Sequence, residues 1–308
     1  MALERVALFF VLFGLCCRTA VAPASPHLLY ELLTSLGTGQ GSCEQVARIA
    51  RTIGRGSDTV HRSIEELAGL DINHLERDFH RWARRQVWRE LLPELYTFPL
   101  AVSADTGPAM RQHAAILPHE LFGNLFHRAP ELFRMLFTGE VGNLEGWWAE
   151  AAACGGSWYS EHPVVHNTPD PCLRVPFGLH GDDAGVQGQQ QVLVVTWGSV
   201  AVHLPTFDSR LLLSILKTSE ILKDAMDTTR QTFYSVLAWS LRALSVGRYP
   251  EADHTGRKFS KQHHPRRAAL AGTPIADGFV GAFAEMRGDW KFLRETLYLQ
   301  EHYGTNYI

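Results

Sequence analysis

The chain has 308 residues, 45% of them hydrophobic and 20% charged, with a formal net charge of −3. That size and balance suit one large folded domain or two smaller ones, and exclude a wholly disordered chain or a short disulfide-stapled scaffold. The charge excludes a globally basic nucleic-acid binder, and the five cysteines contain no C-x-x-C pair from which a zinc ribbon could be built.

Residues 1–25 read as a leader. Arg5 precedes the apolar run Val6 to Cys17, and Ala20-Val21-Ala22 and Ala22-Pro23-Ala24 are small-x-small sequences suited to signal peptidase. This pattern predicts secretion. The run is shorter than the roughly 20 residues of a membrane span, and nothing later supplies one, so no integral membrane association is expected once the leader is removed.

Residues 26–155 predict a helical region. Leu28 to Leu36 is a short helix candidate, and Ser42 is a plausible N-cap with Gln45 three residues on. Val46, Ile49, Ala50 and Ile53 follow at helical spacing, Gly54 to Ser57 break the helix, and Thr59, Val60 and Ile64 begin another. Asp71 to Leu95 continues as a long helical segment whose Arg81, Arg84, Arg85 and Arg89 form either a phosphate-contacting or a solvated face. Tyr96 to Pro108 reads as an extended connection. Pro118 and Pro130 then open two short helices at the first-turn position that proline tolerates, and Leu144 to Ala153 adds a third with Trp147 and Trp148. These aromatics read as core. Residues 156–171 predict an irregular linker.

Residues 172–308 predict a mixed α/β domain. Two apolar runs, Leu173 to Leu179 and Val192 to Trp197, read as strands flanking a Gly-rich turn that carries Asp182 and Asp183. Phe207 to Ile221 reads as strand or helix. Phe233, Val236, Leu237, Ser240, Leu241 and Leu244 give a core-facing amphipathic helix ending at Gly247. Arg248 to Arg267 is loop-like, with His254, His263 and His264 on the surface. Phe279 to Met286 reads as a further strand, Gly288-Asp289 as its end, and Trp290 to Leu299 as a helix.

The overall expectation is therefore an α+β chain, a helical N-terminal half followed by a mixed α/β C-terminal half with acids at two strand ends. Carboxylates suit Mg²⁺ or Mn²⁺, which favour hard oxygen ligands, and paired metal ions can clamp the attacking and leaving oxygens of a phosphoryl transfer. Asp182 and Asp289 are the expected ligands. Asp183 is the alternative to Asp182, because neighbours on a strand point to opposite sides. A third acid is less clearly marked: Glu295 and Glu301 follow Asp289, and Glu295 is taken as the catalytic candidate. The chain stops at Ile308, soon after the helix that would precede a third acid, which makes a truncated core one reading.

Three resemblances extend this. IARTIGRGSDTVHRSI, within residues 42–68, resembles the helix-turn-helix of transposases and repressors, and implies that Asp58, Thr59, His61 and Arg62 face duplex DNA. Arg55 departs from that motif, standing at a turn position where it buries an aliphatic residue, and a plain pair of packed helices would share the pattern. PHELFGNLF, GWWAEAAACGGSWYSEHP, LHGDDAG, VLAWSLRALSVGRYPEAD and MRGDWKFLRETLYL together resemble a large protein family of dinoflagellate genomes with no assigned activity, over most of residues 70–303. The Gly-Asp strand, Trp-containing helix and later Asp are similar to the catalytic domains of DDE-type DNA transposases. That likeness implies an RNase-H-like C-terminal half, a divalent-metal-dependent DNA strand-transferase or nuclease ancestry, and a nuclear rather than secreted protein. A non-enzymatic interaction protein, or a secreted protein of another role, is the alternative.

Overall fold

A computed structural model of the chain describes residues 43–56, scattered positions between 66 and 78, and residues 92–185, 190–204, 209–297 and 299. The leader, the long segment from Asp71 and all four proposed DNA-facing residues, Asp58, Thr59, His61 and Arg62, lie outside the described residues or nearly so. Helix α1, Cys43–Gly56, is described, and it runs through Gly54 instead of breaking there. Its buried face holds Ala47 and Ala50, while Ile49 is 40% exposed, so the expected apolar register is only partly the buried one.

The stretch read as an extended connection is a hairpin of β1, Tyr96–Ala104, and β2, Gly107–Ala115. This corrects the reading of Tyr96 to Pro108 as a mere connection within the helical N-terminal half. The signal was a period of two: Tyr96, Phe98, Leu100 and Val102 are buried between more exposed neighbours. Pro99 is tolerated because β1 pairs only with β2 among the described strands.

Helix α2, Pro118–Arg128, and the short α3, Pro130–Phe133, follow, each with proline in its first turn. A π-helical turn, Arg134–Thr138, extends α3. Their aromatic rings are core, as expected. Phe122 meets Phe133 at 4.7 Å between ring centroids, and Phe137 stacks on Trp197 of the main sheet at 5.4 Å. One continuous apolar core thus joins residues on both sides of the expected linker. The linker region is itself structured: after α4, Asn143–Cys154, come α5, Gly156–Glu161, and α6, Pro163–Asn167. Trp148 of α4 and Val164 of α6 pack on the sheet at Val280 and Ala282, and Trp148 Nε1 donates to Arg174 O at 2.8 Å.

The main sheet has four strands in the order β5-β4-β3-β6. β3, Arg174–Gly185, is antiparallel to β4, Gln191–Ser199, which is antiparallel to β5, Leu211–Lys217. The chain then forms α7, Thr228–Val246, capped by Gly247 in the left-handed region at φ 72°, and returns through a long excursion containing α8, Pro265–Leu270. β6, Val280–Gly288, enters parallel to β3, and α9, Trp290–Leu297, follows. α7 covers one face of β3 and β6: a Cβ added at Gly281 would lie 2.6 Å from Leu244 of α7.

Buried polar contacts fix α2 against α7 and the excursion. His119 Nδ1 is 2.8 Å from Ser240 Oγ, and burial pushes its pKa down to about 3. The folded imidazole thus stays neutral while the unfolded one takes up a proton below about pH 6.5, so this contribution to stability is lost as pH falls from about 6.5 towards 3. Between pH 6.5 and 5 the loss is about 2 kcal/mol. Denaturant titrations across this range should show it in the wild type, and a flatter profile in His119→Asn, whose amide replaces Nδ1. His254, expected at the surface, is instead half-buried with Nδ1 2.5 Å from Tyr96 Oη, on the hairpin.

Candidate functional site

The segment LHGDDAG is strand, not turn. β3 continues to Gly185 because it keeps pairing with β4, Asp182 opposite Val194 and Asp183 opposite Leu193. The local turn preference of Gly and Asp is overridden by this non-local ladder.

Strand alternation then sorts the two acids. Asp183 lies on the side covered by α9 and is held by Lys291, whose pKa is raised first by that hydrogen bond. Asp182 points to the opposite side and is exposed. In the parallel ladder Gly181 stands opposite Gly288, so Asp182 and Asp289 are the next residues beyond the last paired position of β3 and β6. Adjacent strands lie about 4.8 Å apart, and both carboxylates are near enough to His180 to act on its charge.

The glycines make this geometry. A Cβ on Gly181 would come 2.0 Å from the Phe292 ring, and one on Gly288 2.3 Å from it. Phe292 of α9 can therefore lie flat across both strands only because neither position carries a side chain. Asp289 caps the same helix, its Oδ1 accepting from Phe292 N at 2.6 Å.

Three further groups share the face of Asp182. His180 is two residues back on β3, and its register partner is Arg287, two residues back from Asp289 on β6. Arg210, just before β5, brings Nη1 to 3.0 Å from His180 Nε2. Its approach depends on Gly198 of β4, where a Cβ would sit 2.2 Å from Ser209 O, so the chain crosses the sheet directly over that position. Burial first, and Arg210 next, hold His180 below the usual imidazole range, while Asp182 and Asp289 act in the opposite direction. Arg287 Nε is 2.5 Å from Glu285 Oε1, in ionic contact without hydrogen-bond geometry.

Glu295 is not brought to this place. Its carboxylate is bound by Arg230 of α7, beside the contact of Tyr234 with Thr296 at 2.9 Å. That ion pair serves to dock α9 on α7. Among the described residues no group of three or more His, Cys, Asp or Glu is arranged to hold a metal ion. His180, Arg210, Arg287 and Glu285 went unnoticed in the sequence, although the alternations His180-x-Asp182 and Glu285-x-Arg287-x-Asp289 mark one charged strand face.

A concavity of about 810 Å³ lies on the other side of the sheet between α7 and β6, with Leu179, Tyr234, Leu241, Phe283 and Met286 in its lining. No described helix is long and apolar enough to cross a membrane.

The chain was compared with protein-family models, curated proteins and solved structures. None matched.

Proposed function

We propose that this is a transposase-derived protein whose C-terminal half is an RNase-H-like core, acting on nucleic acid with Mg²⁺ or Mn²⁺. One observation carries the reading: in a sheet ordered β5-β4-β3-β6, two acids occupy adjacent ends of the parallel pair β3 and β6, with α7 between them in sequence. Three antiparallel strands, a crossover helix and a fourth strand parallel to the first is the arrangement expected of that core. Strand ends are also where α/β sheets commonly carry chemistry. The likeness to the dinoflagellate family belongs to the same proposal, as does a nuclear site of action.

The donor set fits a hard divalent cation. Mg²⁺ is commonly bound through one or two carboxylates, with waters and substrate phosphate oxygens completing its shell, and Asp182 and Asp289 are two exposed carboxylates. A metal ion held there supplies Lewis-acid polarisation of a phosphoryl oxygen and lowers the pKa of bound water. Asp289 is oriented by its cap to Phe292, and Asp182 by the pairing of β3 with β4. With two acids gathered instead of three, metal and nucleic-acid binding outlast turnover, and the protein is read as a degenerate enzyme.

The test is Mn²⁺ binding followed by paramagnetic relaxation of water protons. Asp182→Asn with Asp289→Asn should weaken binding at least about tenfold, since both anionic ligands are gone while asparagine remains a good helix cap. Undiminished binding in the folded double variant removes the metal site and favours a non-enzymatic interaction protein.

A further inference from the structure

We infer that Arg210 and Arg287 form a seat for a backbone phosphate beside Asp182 and Asp289, which makes the substrate a nucleic-acid strand laid across the ends of β3 and β6. The inference rests on the proposed metal site and adds the residues that would hold the nucleic-acid backbone there.

Two aspartates alone repel a polyanion, so a site built to receive phosphate there needs cations on the same face. The fold supplies two from different directions. Arg287 projects from β6, in register with His180, with a side chain 61% exposed. Arg210 comes from the other edge of the sheet, over Gly198, and its guanidinium spends one N–H on His180 Nε2. The remaining donors of a planar guanidinium fork match phosphate oxygens in pairs, a fit that a lysine ammonium does not reproduce. Among the described residues, the only ion pair of Arg287 is with Glu285 on its own strand, and none engages Arg210. Burial first, and Arg287 next, disfavour the charge of Arg210, while Asp182 favours it. The competing explanation is that two arginines simply balance two aspartates; it makes the opposite prediction for nucleic-acid binding.

The experiment uses the full chain, a fluorescent 20-base-pair duplex and its single strand, measured by anisotropy over a series of NaCl concentrations without divalent metal. Arg210→Gln and Arg287→Gln should each weaken binding about three- to tenfold and lower the salt dependence by about one phosphate contact. Arg210→Lys should recover part of the loss. Asp182→Asn should tighten binding, because the repulsive neighbour is gone. Unchanged affinity and salt dependence in both arginine variants, each verified as folded by near-UV circular dichroism, overturns the seat, as does an absence of binding by the wild type. Mn²⁺ relaxation on the same proteins keeps the two ideas apart. Arginine-dependent DNA binding without Mn²⁺ binding removes the metal site alone, and Mn²⁺ binding with arginine-independent DNA binding removes the seat alone.

Discussion

Arg267→Met is expected to destabilise the protein by about 3–5 kcal/mol, the range for removing one partner of a buried ion pair. Arg267 Nε donates to Glu120 Oε1 at 2.6 Å and Nη2 to Glu120 Oε2 at 3.1 Å, and the side chains are only 8% and 10% exposed. Nη2 also reaches Glu94 O at 2.8 Å, and the guanidinium lies 5.2 Å from the ring centroid of Tyr96. Loss of the arginine therefore strands a carboxylate inside the protein and frees the excursion between α7 and β6 from α2 and the hairpin. The large effect comes from the orphaned charge rather than the pair's net worth. Glu120→Leu combined with Arg267→Met should accordingly recover most of the lost stability, which guanidinium chloride unfolding of the single and double variants will measure.

Phe292→Ala should cost a similar 3–5 kcal/mol and, unlike the first substitution, should also weaken metal binding without removing a ligand. The ring is 4% exposed and spans Gly181 and Gly288, the residues immediately before Asp182 and Asp289. Without it α9 loses its seat on the sheet, and the N–H that orients Asp289 loses its fixed position. A double-mutant cycle isolates the contact. Gly181→Ala alone should be destabilising through overpacking, but nearly harmless in the Phe292→Ala background, giving a coupling of at least about 1 kcal/mol. Equal effects of Gly181→Ala in both backgrounds would show that the glycine and the ring do not constrain one another.

If the metal reading holds, these two substitutions separate fold from site. Arg267 lies among α2, α8 and the hairpin, whereas Phe292 sits against the strands that carry the acids. Mn²⁺ affinity in folded Arg267→Met protein should stay near the wild-type value, while in Phe292→Ala it should fall.

Much of the C-terminal half was legible in the chain. Val192 to Val195 is apolar and β-branched, the face from Phe233 to Leu244 repeats at helical spacing, and Gly247 ends that helix as a left-handed cap. These signals are local, and local physics is sufficient for them. The hairpin was missed although Tyr96, Phe98, Leu100 and Val102 alternate, because Pro99, Gly107 and Pro108 look like loop residues until the pairing of β1 with β2 is known. The helices of residues 156–167 were missed for a related reason: they are only five and six residues long and owe their position to packing on β6.

For the candidate site, the sequence by itself determined that Asp182 and Asp183 must point to opposite sides, since side-chain alternation is fixed by backbone geometry, whereas the expected strand end before them is overridden by the ladder to β4. Only the tertiary structure decided which residue of β3 falls level with Asp289, because that depends on the register of two strands about 100 residues apart and on a phenylalanine that fits over two glycines. It likewise decided that Glu295 docks α9 on α7, and that Arg210 and Arg287 converge from opposite edges of the sheet. No spacing in the chain encodes those meetings. They follow from packing, in which the absence of a side chain at Gly181, Gly198 and Gly288 matters as much as the charges it lets approach.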